Sequence, residues 1–180
     1  MKGTTLFLVA AVCGAAAFLL NSEFASAWDG ILPDSGRTPG AVLTTDLTTI
    51  CQRGYARTVR HTPRRVKRRV WAAYSMRPDE PGYQFDHLIP LELGGADVEE
   101  NLWPQSYGAT PWNARLKDNL ENRLRREVCE GRMPLDLAQQ LIARDWIAAY
   151  EKVFGSPAEG NLRQNEFNCL HHGGDTGGLP

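Results

Sequence analysis

The spacing of apolar residues along the chain predicts three helices. A Leu or Val recurs every four residues from position 116 to position 128, which places these side chains on one buried face of a helix. This helix is predicted to span residues 110–130, because the Thr-Pro pair at its start supplies an N-cap and a suitable first helical residue. The same Thr-Pro signal predicts a helix over residues 62–75, and apolar periodicity predicts a third over residues 135–154.

The pattern changes between the first two predicted helices. Residues 83–89 combine aromatic and branched side chains and are typical of a strand, which Pro90 ends. A glycine-rich loop follows, and residues 101–103 predict a short second strand that stops at Pro104. The order strand, loop, strand, helix lacks the long βαβ alternation of a doubly wound sheet, so the chain is predicted to be a mostly helical α+β protein.

Composition divides the 180-residue chain into four parts. Residues 1–27 are predicted to be a signal peptide, and residues 28–45, rich in Gly, Pro, Asp and Thr, an irregular N-terminal arm. Residues 46–154 hold the predicted domain, and the Gly-rich residues 155–180 are predicted to be a flexible tail. The length suffices for one ordinary domain and is too short for two full ones.

The N-terminus has the pattern of an export signal. Lys2 supplies a positive charge, residues 6–20 are nearly all apolar, and small residues end the segment at Ala27. The protein is therefore predicted to be exported to the periplasm or secreted, after cleavage near Ala27. An uncleaved anchor is the alternative. No other stretch is long enough to span a membrane, so the mature chain is predicted to have no membrane span.

The cysteines predict one disulfide. The mature chain would carry Cys51, Cys129 and Cys169, and an oxidising destination permits an internal pair. Cys51 and Cys129 are favoured because both lie in the predicted domain, whereas Cys169 lies in the Gly-rich tail. Three free thiols are the alternative. No Cys-x-x-Cys spacing occurs, so a structural zinc site is not expected.

The pair Asp86-His87 carries the candidate chemistry. A carboxylate suits a hard divalent cation such as Mg²⁺, and a neutral imidazole can deprotonate water near neutral pH. Together they predict a metal-assisted hydrolytic site. Adjacent residues of a regular strand point to opposite faces, so the two side chains must take different positions around one centre. A strand-end His with a purely structural role is the alternative.

The order of residues around this pair resembles the HNH endonucleases and their ββα-metal fold. The matching residues are Asp86-His87-Leu88-Ile89-Pro90, then Gly94-Gly95, then Asn101-Leu102, then a helix. The resemblance implies that His87 is the general base, that Asp86 binds the metal, and that Asn101 holds the loop and helps to orient His87. It also implies one divalent metal ion, Mg²⁺ first, with Mn²⁺ or another divalent ion as alternatives. A broader resemblance, to small exported bacterial HNH-type proteins, runs from Thr38 to Phe154.

The third position of the HNH pattern, a His or Asn on the following helix, has no His here. Asn113, in the first turn of the predicted second helix, is the predicted second metal ligand, and Asp118 and Asn119 are the alternatives. An exposed helix residue without a metal role is an equally simple interpretation of Asn113.

A basic cluster provides candidate nucleic-acid contacts. Eight Arg or Lys residues lie between positions 53 and 69 with no acidic residue among them, although the net charge of the whole chain is −1. The predicted phosphate contacts are Arg64, Arg65, Lys67, Arg68 and Arg69, with Arg115 and Lys117 from the next helix. The alternative is a solvated helix face that pairs with acids such as Asp97, Glu99 and Glu100.

These features predict an exported, metal-dependent endonuclease with little sequence preference, acting on DNA ahead of RNA. A second hypothesis is a non-catalytic module that binds nucleic acid or another polyanion through the Arg-rich residues 53–69. A third is a structural envelope protein stabilised by the disulfide. The sequence makes no prediction of oligomeric state.

Overall fold

The computed structural model describes residues 29–157, which form a mixed helical and strand-containing α+β structure. The predicted signal peptide and most of the predicted tail lie outside the described residues. The elements, in chain order, are α1 Leu47–Ile50, α2 Tyr55–Val59, α3 Arg64–Ala73, β1 Tyr83–His87, β2 Leu102–Ser106, α4 Ala114–Cys129, α5 Leu135–Arg144 and α6 Trp146–Phe154. Short 3₁₀ turns at Leu91–Leu93 and Glu99–Asn101 lie between the strands. Within residues 29–157, no helix has the length and apolar character needed to cross a membrane.

The two strands form one antiparallel sheet in which Asp86 pairs with Trp103 and His87 pairs with Leu102. The second strand does not stop at Pro104, as the sequence predicted, but continues to Ser106. In a two-stranded sheet each strand is an edge, so a proline, which has no N–H to donate, can occupy a position whose backbone nitrogen needs no partner.

Helix α4 follows the sheet and supplies one wall of the main core. Leu120 and Leu124 are fully buried, as the four-residue spacing predicts. The helix begins at Ala114 and not at the Thr-Pro pair. Its N-cap is Asn113, whose Oδ1 accepts hydrogen bonds from the backbone N–H groups of Arg115 and Leu116.

The predicted helix over residues 135–154 is two helices. Asp145 has an extended backbone conformation between them, and its Oδ1 accepts hydrogen bonds from the N–H groups of Ile147 and Ala148. This carboxylate therefore begins α6, and the chain changes direction where unbroken periodicity predicted one helix. The first predicted helix begins at Arg64, because the hydroxyl of Thr62 donates to Asp97 and does not cap α3.

The predicted Cys51–Cys129 disulfide is confirmed. It joins the residue after α1 to the last residue of α4, across a sequence separation of 78 residues. Closing a loop of this length stabilises a fold by about 2–4 kcal/mol, mainly by restricting the unfolded chain. The bond therefore attaches the N-terminal helices to α4.

Two hydrophobic clusters flank the end of β1. The larger one joins α4, α5 and α6 around the buried Trp146, and the smaller one packs α3 against the sheet through Val70 and Trp103. Asp86 and His87 lie at the end of β1, and both are buried. The fold thus places the buried, ionisable residues Asp86 and His87 beside α4.

Candidate active site

Asp86 and His87 line one cleft, which has a volume of about 240 Å³. Although neighbours in a regular strand point to opposite faces, both residues line this cleft, which lies at the end of β1. Helix α4 contributes Asp118 and Glu121 to the same cleft, and Arg60 contributes from the residue after α2. The cleft therefore combines carboxylates, an imidazole and a guanidinium.

Lys117 braces the Asp86 side of the cleft from within the protein. Its fully buried ammonium donates to Asp86 Oδ2 at 2.6 Å and to the backbone carbonyl of His87 at 2.7 Å, and it also contacts Glu121. Burial alone would lower the pKa of this ammonium, but the carboxylates of Asp86 and Glu121 raise it, so Lys117 is cationic. This lysine fixes the end of β1 onto α4.

Three carboxylates converge next to that lysine. One oxygen each from Asp86, Asp118 and Glu121 can be chosen so that all three lie within 4.8 Å of one another. Gln84 Nε2 holds two of the three, donating to Asp86 Oδ1 and to Asp118 Oδ1 at 3.1 Å each. Burial raises the pKa of Asp118 and of Glu121, because carboxylates removed from water and placed near one another resist ionisation.

This donor set is suited to a hard divalent cation. All three groups are oxygen donors, the kind that Mg²⁺ and Mn²⁺ prefer, and no thiolate or imidazole is among them. If all three carboxylates were ionised around a bound cation, the Lys117 ammonium would leave two negative charges for a divalent cation to balance. The residues present therefore fit the kind of ion that the sequence predicted.

The imidazole ring of His87 is held by the carboxylate of Asp97. Its Nε2 lies 2.8 Å from Asp97 Oδ1, and Asp97 also accepts hydrogen bonds from Thr62 and from the backbone N–H of His61. Burial lowers the pKa of His87, although the bond to Asp97 opposes that effect. A neutral ring that donates Nε2–H to Asp97 keeps its lone pair on Nδ1, where it can accept a proton.

Asn101 holds the loop between the strands. Its fully buried side-chain amide donates to the carbonyls of Ile89 at 2.8 Å and Ala96 at 2.9 Å, and its Oδ1 accepts from the Ile89 N–H at 2.9 Å. A Cβ at Gly95 would lie 1.9 Å from the Ile89 carbonyl oxygen, so this position of the loop requires glycine. Asn101 thus fixes the backbone at Ile89, two residues after His87.

Two predicted site residues, Asn113 and Lys117, make structural contacts in the protein. Lys117, predicted as a nucleic-acid contact, is fully buried and pairs with Asp86, so its ammonium group is not on the protein surface. Asn113 caps α4 through its Oδ1, and its Nδ2 donates to the carbonyls of Ala109 and Pro111. Its side chain thus has a structural role that the sequence analysis did not assign.

The basic residues of α3 lie apart from the Asp86 cleft. Arg64, Lys67 and Arg68 line a separate cleft with Trp71. Two further members of the cluster are Arg65, which is exposed, and Arg69, which pairs with Glu99 at 2.7 Å. The guanidinium of Arg115 lies over the ring of Tyr107. The pairing of Arg69 with Glu99 agrees with the alternative interpretation, in which the basic cluster is a solvated helix face that pairs with nearby acids.

Sequence reasoning did not assign Asp97 or Glu121 to the site. Glu121 had a detectable signal, since it follows Lys117 by four residues and so lies on the same face of a helix. Asp97 had none, because it lies in an irregular loop ten residues after His87, where no periodicity connects the two. Asp118 was an alternative to Asn113 and does line the cleft.

Comparison with known proteins finds no relative from which a role could be transferred: no protein-family model, no curated protein and no solved structure matches this chain. The function is therefore inferred from the residues and their geometry.

Proposed function

We propose that this protein is an exported, metal-dependent endonuclease of the HNH type, which hydrolyses nucleic-acid phosphodiester bonds with little sequence preference. The observation that carries the proposal is the meeting of three carboxylates and a buried, carboxylate-bound histidine at one cleft. The resemblance of residues 86–102 to the HNH motif supports it, as does the order of two antiparallel strands followed by a helix.

Asp86, Asp118 and Glu121 would hold the metal ion, Mg²⁺ or Mn²⁺. When bound, the ion would neutralise charge on the phosphate and on the leaving oxygen. Lys117 keeps Asp86 and Glu121 in place from the protein side, and Gln84 keeps Asp86 and Asp118 together. This arrangement replaces the prediction of Asn113 as the second ligand with a proposal of two carboxylates from α4.

His87 would act as the general base. Its burial favours the neutral ring, and the Asp97 carboxylate would accept a hydrogen bond from Nε2–H, so that Nδ1 would be left to take a proton from the attacking water. The same carboxylate stabilises the imidazolium that proton transfer creates. Asn101 would act as a positioning residue, because it fixes the backbone at Ile89, two residues after His87.

The non-catalytic alternative has one observation in its favour. The ammonium of Lys117 already contacts Asp86 and Glu121, so the carboxylates have a cationic partner without a metal ion. In that case the protein would bind nucleic acid or another polyanion through its arginines and cut nothing. Binding would then persist in chelator and in the His87→Ala variant.

The test is nicking of supercoiled plasmid DNA by the mature protein. With Mg²⁺ or Mn²⁺ the proposal expects nicked circles, and with excess chelator it expects none. An RNA substrate of similar length, incubated in parallel, measures the expected preference for DNA. DNA that is bound but left intact under every metal condition would reject the nuclease and favour the binding module.

A further inference from the structure

A second and larger cleft adjoins the candidate active site. It has a volume of about 700 Å³ and is lined on one side by residues of α2 and the turn before it. Its basic residues are Arg53, Arg57, Arg60 and Arg125. We call this feature the arginine cleft.

The four arginines of this cleft differ from several other arginines of the described chain in their partners. In residues 29–157, none of the four forms an ion pair with a carboxylate, whereas Arg69, Arg77 and Arg132 each do so. The one acidic residue lining the cleft is Glu92. The cleft thus places four guanidinium groups around a single carboxyl group.

The arginine cleft is continuous with the Asp86 cleft. Ala56, Arg60 and Glu92 line both. Arg60 and His87 both line the Asp86 cleft. A chain of phosphates lying along the guanidinium groups would therefore lead directly to the histidine and the carboxylates.

Helix α3 offers no such continuity. Its basic residues Arg64, Lys67 and Arg68 line a cleft that shares no residue with the Asp86 cleft. Variants that remove two positive charges from the arginine cleft can therefore be compared with variants that remove two from α3.

We propose that the arginine cleft holds the nucleic-acid backbone on one side of the bond that is cut, with Arg60 at the junction of the two clefts. This inference rests on the proposed nuclease function. Guanidinium groups bind phosphate oxygens in a bidentate manner and carry no base-specific information by themselves, which fits cutting without sequence preference. Contacts outside the reacting phosphodiester would fix the strand, so they should matter for a polymer and not for a small diester.

The first experiment measures binding in chelator, where no cutting occurs. The double variant Arg53→Gln/Arg57→Gln is compared with the matched double variant Arg64→Gln/Arg68→Gln, using a fluorescent DNA oligonucleotide at several salt concentrations. The arginine-cleft variant should bind at least about tenfold more weakly, and the log-log slope of its salt dependence should fall by roughly one unit for each phosphate that it no longer neutralises. The α3 variant should change affinity by less than about threefold.

The second experiment measures cutting in Mg²⁺ or Mn²⁺ with two substrates. The arginine-cleft variant should raise KM for the oligonucleotide at least about tenfold and leave hydrolysis of the small diester bis(p-nitrophenyl) phosphate unchanged. Unchanged hydrolysis of the small diester also shows that the variant is folded.

The outcomes separate the two claims. A wild type that cuts DNA, with an arginine-cleft variant that binds and cuts it equally well, would overturn the inference and leave the nuclease standing. A wild type that never cuts, with binding abolished in the arginine-cleft variant, would reject the nuclease and still support the cleft as the nucleic-acid surface. A larger drop in affinity for the α3 variant than for the arginine-cleft variant would overturn the inference directly.

Discussion

The ammonium nitrogen of Lys117 lies 2.6 Å from Asp86 Oδ2, inside the protein and beside the cleft that Asp86 lines. Lys117 comes from the first turns of α4 and Asp86 from the end of β1, so this contact joins the sheet to the helix that follows it. The same ammonium bonds to the carbonyl of His87. One buried lysine therefore fixes both residues of the Asp86-His87 pair.

Replacing Lys117 with Met should strongly destabilise the protein. Methionine fills a similar volume but removes the charge, which leaves the carboxylates of Asp86 and Glu121 buried without their cation. Breaking a buried ion pair in this way costs about 3–5 kcal/mol. Urea unfolding of the mature protein measures the change. The control is Lys152→Met on the exposed face of α6, which should alter stability by less than about 0.5 kcal/mol. Equal stability of the two variants would contradict the role given to Lys117.

Replacing Asn101 with Ala should loosen the loop that follows β1. The change removes the partners of the buried Ile89 N–H and of the Ile89 and Ala96 carbonyls. Each buried polar group left without a partner costs about 1–3 kcal/mol, so the free energy of unfolding should fall by more than about 2 kcal/mol. Asn119→Ala, an exposed change on α4, is the matched control and should have little effect. A loss of nuclease activity without any loss of stability would show that Asn101 acts in another way.

Metal binding should depend on the carboxylates of α4 and not on Asn113. We expect Asp118→Asn to weaken Mn²⁺ binding at least about tenfold, or about 1.4 kcal/mol, because it removes one charged oxygen donor. Asn113→Ala should leave Mn²⁺ affinity unchanged and lower stability by about 1 kcal/mol, since it removes an N-cap. Titration calorimetry measures the affinity of each variant. The reverse pattern would restore Asn113 as the metal ligand.

Acid should remove the stabilising contribution of Asp97. Partial burial opposes ionisation of this carboxyl group, but hydrogen bonds from Thr62, from His87 and from the His61 N–H together lower its pKa below the usual 3.8. A lowered pKa stabilises the fold at neutral pH, and the contribution disappears as the pH falls through the lowered value. The difference in unfolding free energy between wild type and Asp97→Asn should therefore be largest near neutral pH and shrink below about pH 4. A difference that stays constant into acid would contradict these hydrogen bonds.

Local patterns along the chain were enough to predict the two strands, the helical face of α4 and the disulfide. The face of α4 follows from an unbroken four-residue repeat, and Cys51 and Cys129 were the two cysteines within the predicted domain. Helix ends were less predictable, because Thr62 and Asn113 could each cap a helix or bind elsewhere. Thr62 bonds to Asp97, whereas Asn113 caps α4, and tertiary contacts make that choice.

The sequence predicts those site residues that belong to one short motif. It does not predict those that are brought to the site from distant parts of the chain. Asp86, His87 and Asn101 belong to one short motif. Asp97 bonds to His87, and Arg60 lines the same cleft as His87, only in the folded chain, and no local pattern encodes either approach. Lys117 is predicted as a nucleic-acid contact, but its side chain is fully buried and pairs with Asp86 and Glu121.

If His87 is the general base of a nuclease, the rate of plasmid nicking in Mg²⁺ should depend on its imidazole. Wild type is compared with His87→Ala and with His61→Ala, which removes an exposed histidine side chain outside the Asp86 cleft. Unfolding measurements establish that each variant is folded. We expect His87→Ala to slow nicking by about 10²–10⁴-fold, the usual contribution of a general base, and His61→Ala to nick at the wild-type rate. A folded His87→Ala variant that nicks as fast as wild type would show that His87 is not the general base.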